Sequence, residues 1–171
     1  MNPAVAFGKR SPGAHGKAVG PAGPPVYLVV WQKSLGQGTL TSLGGARLSR
    51  TGTLVDATSL SVTGAPALFA LTFDGGLFLV PWIDKPTVNL PAPPAGAPLH
   101  LATVRVDGTV ADTGILLTSL SAHPSYLDLA VASNGTGQSL AAYSVLDLGA
   151  GFGGRRVRAR LLTTTDLWGG P

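Results

Sequence analysis

A five-residue pattern that occurs twice constrains the fold of this 171-residue chain more than any other feature. The stretch YLVVW, residues 27–31, and the stretch FLVPW, residues 78–82, share an aromatic residue, Leu-Val, one variable residue and Trp. A weaker third version is SLAAY at residues 139–143. Because recurrence at intervals of roughly 50 residues is typical of propellers and solenoids, the pattern predicts repeated units.

Further blocks recur in the same order around these three stretches. ARLSRTGTLVD at 46–56 and ATVRVDGTVAD at 102–112 match at five positions, four of them identical and one Leu against Val, and ARL at 159–161 is a shorter third version. Upstream of each pattern lies a first block, which begins at Pro3, Pro66 and Pro124. The sequence therefore predicts a single repeat domain over residues 1–171. Its units are 3–63, 66–119 and 124–166.

Turn residues within the units indicate β-strands rather than helices. The chain has no Glu, and it contains 24 Gly and 14 Pro, which favours turns over helices. Hairpin signals follow the first strand of the second unit at residues 74–76, and they precede the last strands at 51–52 and 107–108. We predict an all-β fold of about three four-stranded antiparallel blades, the last one incomplete.

Three local features qualify this prediction. Pro81 lacks the N–H that a strand ladder needs, which predicts an edge strand or a bulge at this point. The segments 8–25 and 86–98 are rich in Gly, Ala and Pro, and they are predicted to be mobile loops. The third unit has Tyr143 where the others have Trp, and it ends before a fourth strand.

The combination of PAVAF, YLVVW and ARL blocks with Gly-containing turns resembles the tandem LVVW-type repeats of large secreted or surface bacterial proteins. This resemblance implies a β-propeller-like array without a catalytic signature of its own, and an extracellular or cell-surface location for the full-length protein. Closed propellers have 4 to 8 blades. We therefore expect this chain to be part of a propeller. Two alternatives remain, namely that copies assemble, or that an open array self-associates through its unpaired strand edges.

Composition and spacing argue against several kinds of chemistry. The chain has no Cys, no apolar run of membrane-spanning length and no N-terminal signal peptide pattern. The net charge is +4, but the cations near the start and at 155–160 are not interleaved with aromatic residues, so nucleic acid is not an expected partner. The GAGFGG motif at 149–154 precedes an alternating, strand-like segment and predicts a loop instead of a dinucleotide site.

Histidine spacing and the absence of a nucleophile elbow predict neither a metal site nor a catalytic centre. The three histidines are far apart, and His15 and His100 are expected at the solvent. No cofactor is predicted. Trp31 and Trp82 recur inside apolar strands and are predicted to pack between sheets, with a sugar platform as the alternative.

By analogy with propellers, the polar residues that end the YLVVW and FLVPW strands and the connections between units share one rim. This analogy places five candidate ligand-binding residues together, and the alternative is that they are ordinary solvated loop residues. The candidates are Gln32, Lys33, Asp84, Lys85 and His123. The predicted function is a non-catalytic module that binds or scaffolds a protein or carbohydrate partner. The alternative is part of a propeller-type hydrolase whose catalytic residues lie partly outside this chain.

Overall fold

The computed structural model describes residues 3–8, 24–34, 41–56, 58–62, 66–84, 97–120, 128–147 and 154–163. Within these ranges the chain is all-β, as predicted, and it forms three separate antiparallel sheets. The strands are β1 (Ala4–Gly8), β2 (Val26–Ser34), β3 (Thr41–Ser49), β4 (Leu60–Val62), β5 (Pro66–Phe69), β6 (Thr72–Phe73), β7 (Leu77–Asp84), β8 (Ala97–Arg105), β9 (Val110–Leu120), β10 (Leu129–Ser133), β11 (Gln138–Asp147) and β12 (Gly154–Thr163).

Each sheet is built from one continuous part of the chain. The first sheet has the order β1-β2-β3-β4, the central sheet β5-β7-β8-β9 with β6 also paired to β7, and the third sheet β10-β11-β12. Strands that follow one another along the chain are thus neighbours in space, which is the order of a β-meander. None of the three sheets closes into a barrel.

The central sheet is buried on both faces because β7 is apolar from Leu77 to Ile83, so both sets of alternating side chains are apolar. Leu77, Leu79 and Ile83 enter the core that faces the third sheet. Phe78, Val80 and Trp82 enter the core that faces the first sheet. Burial of one such side chain contributes about 2 kcal/mol. Because successive side chains of β7 point to opposite faces, this strand packs against both neighbouring sheets and joins the three layers.

The outer layers complete these two cores. The first sheet contributes Val26, Leu28, Val30 and Leu43, and the third sheet contributes Ala141, Tyr143 and Leu162. The first strands of the units lie close together, since β1 packs against β6 and β7, and β10 packs against β5, β6 and β7. At the other side of the stack, β4 packs against β9. The sheets are stacked face to face with equivalent strands adjacent.

The first and central sheets pair their strands in the same register. Residues that match between the first two repeats have partners at matching positions on the neighbouring strand. The shared pairs are Tyr27 with Leu48 and Phe78 with Val104, Val29 with Ala46 and Val80 with Ala102, and Trp31 with Gly44 and Trp82 with His100. The same side chains therefore occupy the same face in both sheets.

The third sheet departs from the predicted alignment by one residue. The ARL match would place Leu161 opposite Ser139, but Ser139 pairs with Leu162 and Leu161 pairs with Leu140. A shift of one residue exchanges the two faces of a strand. Leu162 is buried and Leu161 is exposed, so core packing determined this register.

Pro81 lies in an interior strand, and the prediction of an edge strand is wrong. β7 pairs with β8 on one side and with β5 and β6 on the other. The Pro81 carbonyl accepts a hydrogen bond from the N–H of Ala70 at 3.0 Å, in the interruption between β5 and β6. Because N and O of one strand residue point to the same side, the missing N–H faces this interruption. The register irregularity is in the partner strand, between Pro66 and Leu68.

The predicted loops are shorter than the sequence suggested at three positions. Gly8 pairs with Val26 as the last residue of β1. Ala97 and Pro98 pair with β9 at the start of β8. Residues 24 and 25 precede β2 and belong to no strand, and residues 9–23 and 86–96 of the predicted mobile segments lie outside the described residues.

Candidate functional site

Trp82, Asp84 and His100 form a compact polar cluster at the end of the central sheet. The Trp82 Nε1–H donates to Asp84 Oδ1 at 2.9 Å. His100 Nε2 lies 3.0 Å from Asp84 Oδ2. The Trp82 and His100 rings are stacked with centroids 5.3 Å apart and an interplanar angle of 22°. Both carboxylate oxygens thus hold an aromatic ring in place.

The strand register explains how this cluster forms. Trp82 is opposite His100 in the pairing of β7 with β8, so the two rings lie on the same face. Asp84 lies two residues after Trp82 on that strand and therefore also points to this face. The expectation that His100 is at the solvent is wrong, because its side chain is only 20% exposed. The expectation that Trp82 packs between sheets is confirmed by its 2% exposure, whereas Trp31 lies on the outer face of the first sheet and is half-buried.

The histidine ring is oriented by the carboxylate. A carboxylate that accepts from Nε2–H places the acceptor lone pair of a neutral imidazole on Nδ1. Among the described residues, Nδ1 is buried and has no hydrogen-bond partner. The pair has the carboxylate-histidine arrangement of hydrolytic sites, but its free nitrogen is shielded from solvent.

Gln32 connects the first sheet to this end of the central sheet. Its Nε2–H donates to the carbonyl oxygen of Pro66 at 2.6 Å. Pro66 in turn is paired with Asp84 in the register of β5 with β7. Gln32 and Asp84 are therefore near each other at this end of the sheets.

Lys33 follows Gln32 and points to the opposite face of the first sheet, since adjacent strand residues alternate. Its Nζ donates to Ser59 Oγ at 2.8 Å. The lysine stem crosses Gly44, where an added Cβ would lie 2.2 Å from the Lys33 Cε atom. Lys33 is thus at the same end as Gln32 but on the outer side.

Of the five predicted ligand residues, the structure brings together Gln32 and Asp84 and directs Lys33 away from them. Lys85 and His123 lie outside the described residues. The repeat pattern does not indicate His100 as a site residue, although the strand register that the pattern implies places it opposite Trp82.

A second set of polar side chains bridges the sheets elsewhere. Arg47 donates from Nε to Asp56 Oδ1 at 2.8 Å and from one terminal nitrogen to the Val106 carbonyl of the central sheet at 2.8 Å. Arg160 of the third sheet donates to the Leu117 carbonyl. These guanidinium groups satisfy carbonyl oxygens that the sheet ladders leave free.

The basic segment of β12 does not form one surface. Arg156, Arg158 and Arg160 share one face, and Arg155 lies on the other, where it pairs with Asp128. Strand alternation thus divides the cations. In the part of the chain that the structure describes, no group of three or more His, Asp, Glu or Cys side chains is placed to hold a metal ion. The same residues include no helix with the length and apolarity needed to cross a membrane.

Comparisons of this chain with protein-family models, with curated protein sequences and with solved structures find no match.

Proposed function

We propose that this chain is a non-catalytic, β-propeller-like repeat module that binds a protein or carbohydrate partner, with its stacked sheets as the scaffold. The contact surface is the end of the sheets that carries Gln32, Lys33 and Asp84. Lys85 follows Asp84 directly, and we assign it and His123 to the same rim. The observation that carries the proposal is the Gln32 bond to Pro66, which fixes the polar ends of two successive units next to each other.

The assignment to a propeller-like array is supported by the way in which the sheets stack. The face of the central sheet with Phe78, Val80 and Trp82 packs on the first sheet. The face of the third sheet with Ala141 and Tyr143, aligned with Val80 and Trp82, packs on the central sheet in the same sense. Propeller blades and solenoid repeats are joined in the same way, with one face of each unit packed on the opposite face of its neighbour. The resemblance to LVVW-type repeats and the extracellular or cell-surface location belong to this proposal.

Side-chain chemistry favours binding over catalysis at this end of the sheets. Gln32 Nε2, both carboxylate oxygens of Asp84 and His100 Nε2 are engaged in holding neighbouring residues of the scaffold. Fixed polar groups next to a rigid sheet favour specific recognition, because little entropy is lost when they bind. Trp82 is buried and is not available as a sugar platform, which favours a protein partner over a carbohydrate.

The alternative function, part of a propeller-type hydrolase, is supported by the Asp84–His100 pair. In such enzymes the second imidazole nitrogen takes a proton from a nucleophile. Here Nδ1 would first have to become accessible, because it is buried in the described structure. We therefore rank this function second.

The test compares two double variants in binding to immobilised panels of purified extracellular proteins and polysaccharides. Lys33→Ala/Lys85→Ala removes two cations at the proposed rim. Arg50→Ala/Arg105→Ala removes two cations at the opposite ends of β3 and β8 and is the matched control. We expect binding to at least one protein, reduced about tenfold or more in the first variant only. Absence of binding to both panels, or equal loss in both variants, would contradict the proposal.

The same panels distinguish the hydrolase. If a bound polysaccharide or protein is shortened over time, and Asp84→Asn stops this cleavage while the variant still binds, the alternative function replaces the first.

A further inference from the structure

Among the described residues, most of the large exposed apolar side chains lie on two end faces of the stack. The outer face of the first sheet exposes Val5, Phe7, Tyr27 and Leu54. The outer face of the third sheet exposes Leu140, Val157 and Leu161. We call these the leading face and the trailing face. Contiguous apolar patches of this kind on a folded protein mark sites of association.

The leading face matches a face that is buried inside the same chain. In the central sheet, the equivalent side is covered by the first sheet, and Phe78, the counterpart of Tyr27, is fully buried. The correspondence follows from the strand registers and extends over the face. The matched residues are Phe7 with Phe73, Tyr27 with Phe78, Val29 with Val80, Trp31 with Trp82, Leu48 with Val104, and Leu54 with Val110.

The trailing face corresponds to the side of the first sheet that covers the central sheet. In the first sheet, Leu28 and Val30 pack onto the central sheet. Leu140 and Ala142 occupy these positions in the third sheet, one residue after Ser139 and Ala141 respectively. Each chain therefore carries, at opposite ends, both halves of a contact that it already makes internally.

Side-chain volumes on the two faces are complementary. The leading face presents the large rings of Phe7, Tyr27 and Trp31, and the Phe7 and Tyr27 centroids are 4.8 Å apart. The trailing face presents small residues between its leucines, including Ala142 opposite Ala159. In the contact of the central and third sheets the two sides are reversed, with the larger Leu79 and Ile83 on the trailing side of the central sheet and the smaller Ser139 and Ala141 on the third sheet. Large residues facing small ones are what dense packing between layers needs.

From these correspondences we infer that two copies of this chain associate head to tail, the trailing face of each copy covering the leading face of the other. Such a contact is heterologous, and two of them related by a two-fold axis close the assembly. The dimer holds six sheets, which is within the range of closed propellers. Both apolar end faces are then removed from water. The inference rests on the packing faces and not on the partner-binding function proposed above, although Lys33 of the proposed rim also points to the leading face.

The first measurement is the solution mass of the purified chain by sedimentation equilibrium at high micromolar concentration. We expect twice the 17.3 kDa of a single chain. A monomer at this concentration, or a mass that continues to rise beyond two copies, overturns the closed dimer.

Charged substitutions then test which faces are involved. Tyr27→Glu on the leading face and Leu140→Glu on the trailing face each weaken the dimer by at least about thirtyfold, the effect of removing one interface hot spot. Leu116→Glu is the control, because Leu116 is 56% exposed but lies on neither face. Circular dichroism establishes that each variant retains its β-sheet spectrum. Weakening by Leu116→Glu to the same degree, or a wild-type dimer constant in both face variants, overturns the inference.

A mixing experiment tests the head-to-tail arrangement itself. In an equimolar mixture of Tyr27→Glu and Leu140→Glu chains, the intact trailing face of the first meets the intact leading face of the second. We expect a species of two copies to reappear in the mixture, held by one contact, while each variant alone stays monomeric. An isologous contact or an edge-to-edge pairing would not be restored in this way, so a mixture that remains monomeric overturns the arrangement.

Discussion

Gly75 is required by its own backbone and by the backbone of another sheet. Its φ is +103°, a conformation that residues with a Cβ rarely adopt. A Cβ at this position would also lie 2.1 Å from the carbonyl oxygen of Gly135. The two hairpin turns touch here, and the Gly137 N–H donates to the Asp74 carbonyl oxygen at 2.8 Å. One glycine thus permits the contact between the central and third sheets.

Gly75→Ala is expected to destabilise the fold much more than Gly135→Ala. Gly135 also has a positive φ, of +73°, but a Cβ there would meet nothing within 4 Å. Its substitution should cost about 1–2 kcal/mol for the left-handed conformation alone. Gly75→Ala adds displacement of a neighbouring backbone and should cost roughly 3 kcal/mol or more. Urea denaturation of both variants measures the difference, and equal losses would contradict the turn-to-turn contact.

Asp107 makes stability depend on pH through the turn between β8 and β9. Its Oδ1 accepts the Thr109 N–H at 2.8 Å. The pKa of Asp107 lies below its ordinary value of 3.8, chiefly because of this hydrogen bond, with smaller contributions from the charges of Arg105 and Arg47. A lowered pKa in the folded state means that the carboxylate stabilises the fold above pH 3.8 and that this contribution is lost as the pH falls through the lowered pKa.

Asp107→Asn is therefore expected to reduce the free energy of unfolding at neutral pH, and to have a smaller effect at acidic pH. The loss should stay below about 1 kcal/mol because the side chain is exposed. Denaturation curves of the variant and the wild type between neutral pH and about pH 2 check this. A difference that grows on acidification would show the opposite sign and exclude the assignment.

The repeated residues predicted where the strands lie, but the register of β12 depends on core packing. The aligned residues of β2 and β7 occupy equivalent registers, as their shared pattern indicated. In β12, Arg156, Arg158 and Arg160 share one face and Val157, Ala159 and Leu161 the other, so the alternation alone would bury the second face. The burial of Leu162 shows that the arginine face is the one directed to the core. The position of His100 depends on its pairing with Trp82 on the neighbouring strand, and the sequence of β8 alone does not show this pairing.

The Arg47–Asp56 pair connects strand β3 of the first sheet to the central sheet. Asp56 is 7% exposed and accepts from the Arg47 backbone N–H and from its guanidinium. The same guanidinium donates to the Val106 carbonyl of the next sheet. Because the carboxylate is buried, its loss of a partner is costly.

Arg47→Met is expected to lower the free energy of unfolding by about 3–5 kcal/mol, since it leaves Asp56 charged and buried. Arg155→Met removes the same type of side chain from Asp128, whose side chain is 74% exposed, and should cost at most about 1 kcal/mol. Chemical denaturation compares the two variants. Equal effects would indicate that Arg47 does not bridge the sheets as described.

The three sheets differ in how many of their faces are covered. The central sheet lies between two cores, whereas the first and third sheets each contribute one face to a core. The strands β2, β7 and β11 are otherwise matched, because each has a paired strand on both sides. A difference in their protection therefore reports the coverage of faces rather than hydrogen bonding at edges.

Amide hydrogen exchange at low protein concentration should show the slowest exchange in β7, by about a hundredfold or more relative to β2 and β11. Opening of β7 requires the loss of both apolar cores, while the first or third sheet can separate with the loss of only one. As the concentration is raised, head-to-tail association covers the outer faces, and exchange in β2 and β11 should slow toward that of β7. In Tyr27→Glu chains the concentration dependence should disappear while the slow exchange of β7 remains. Uniform exchange of the three strands at low concentration would contradict the layered stack, because strands with equal pairing would then be equally stable whatever covers their faces.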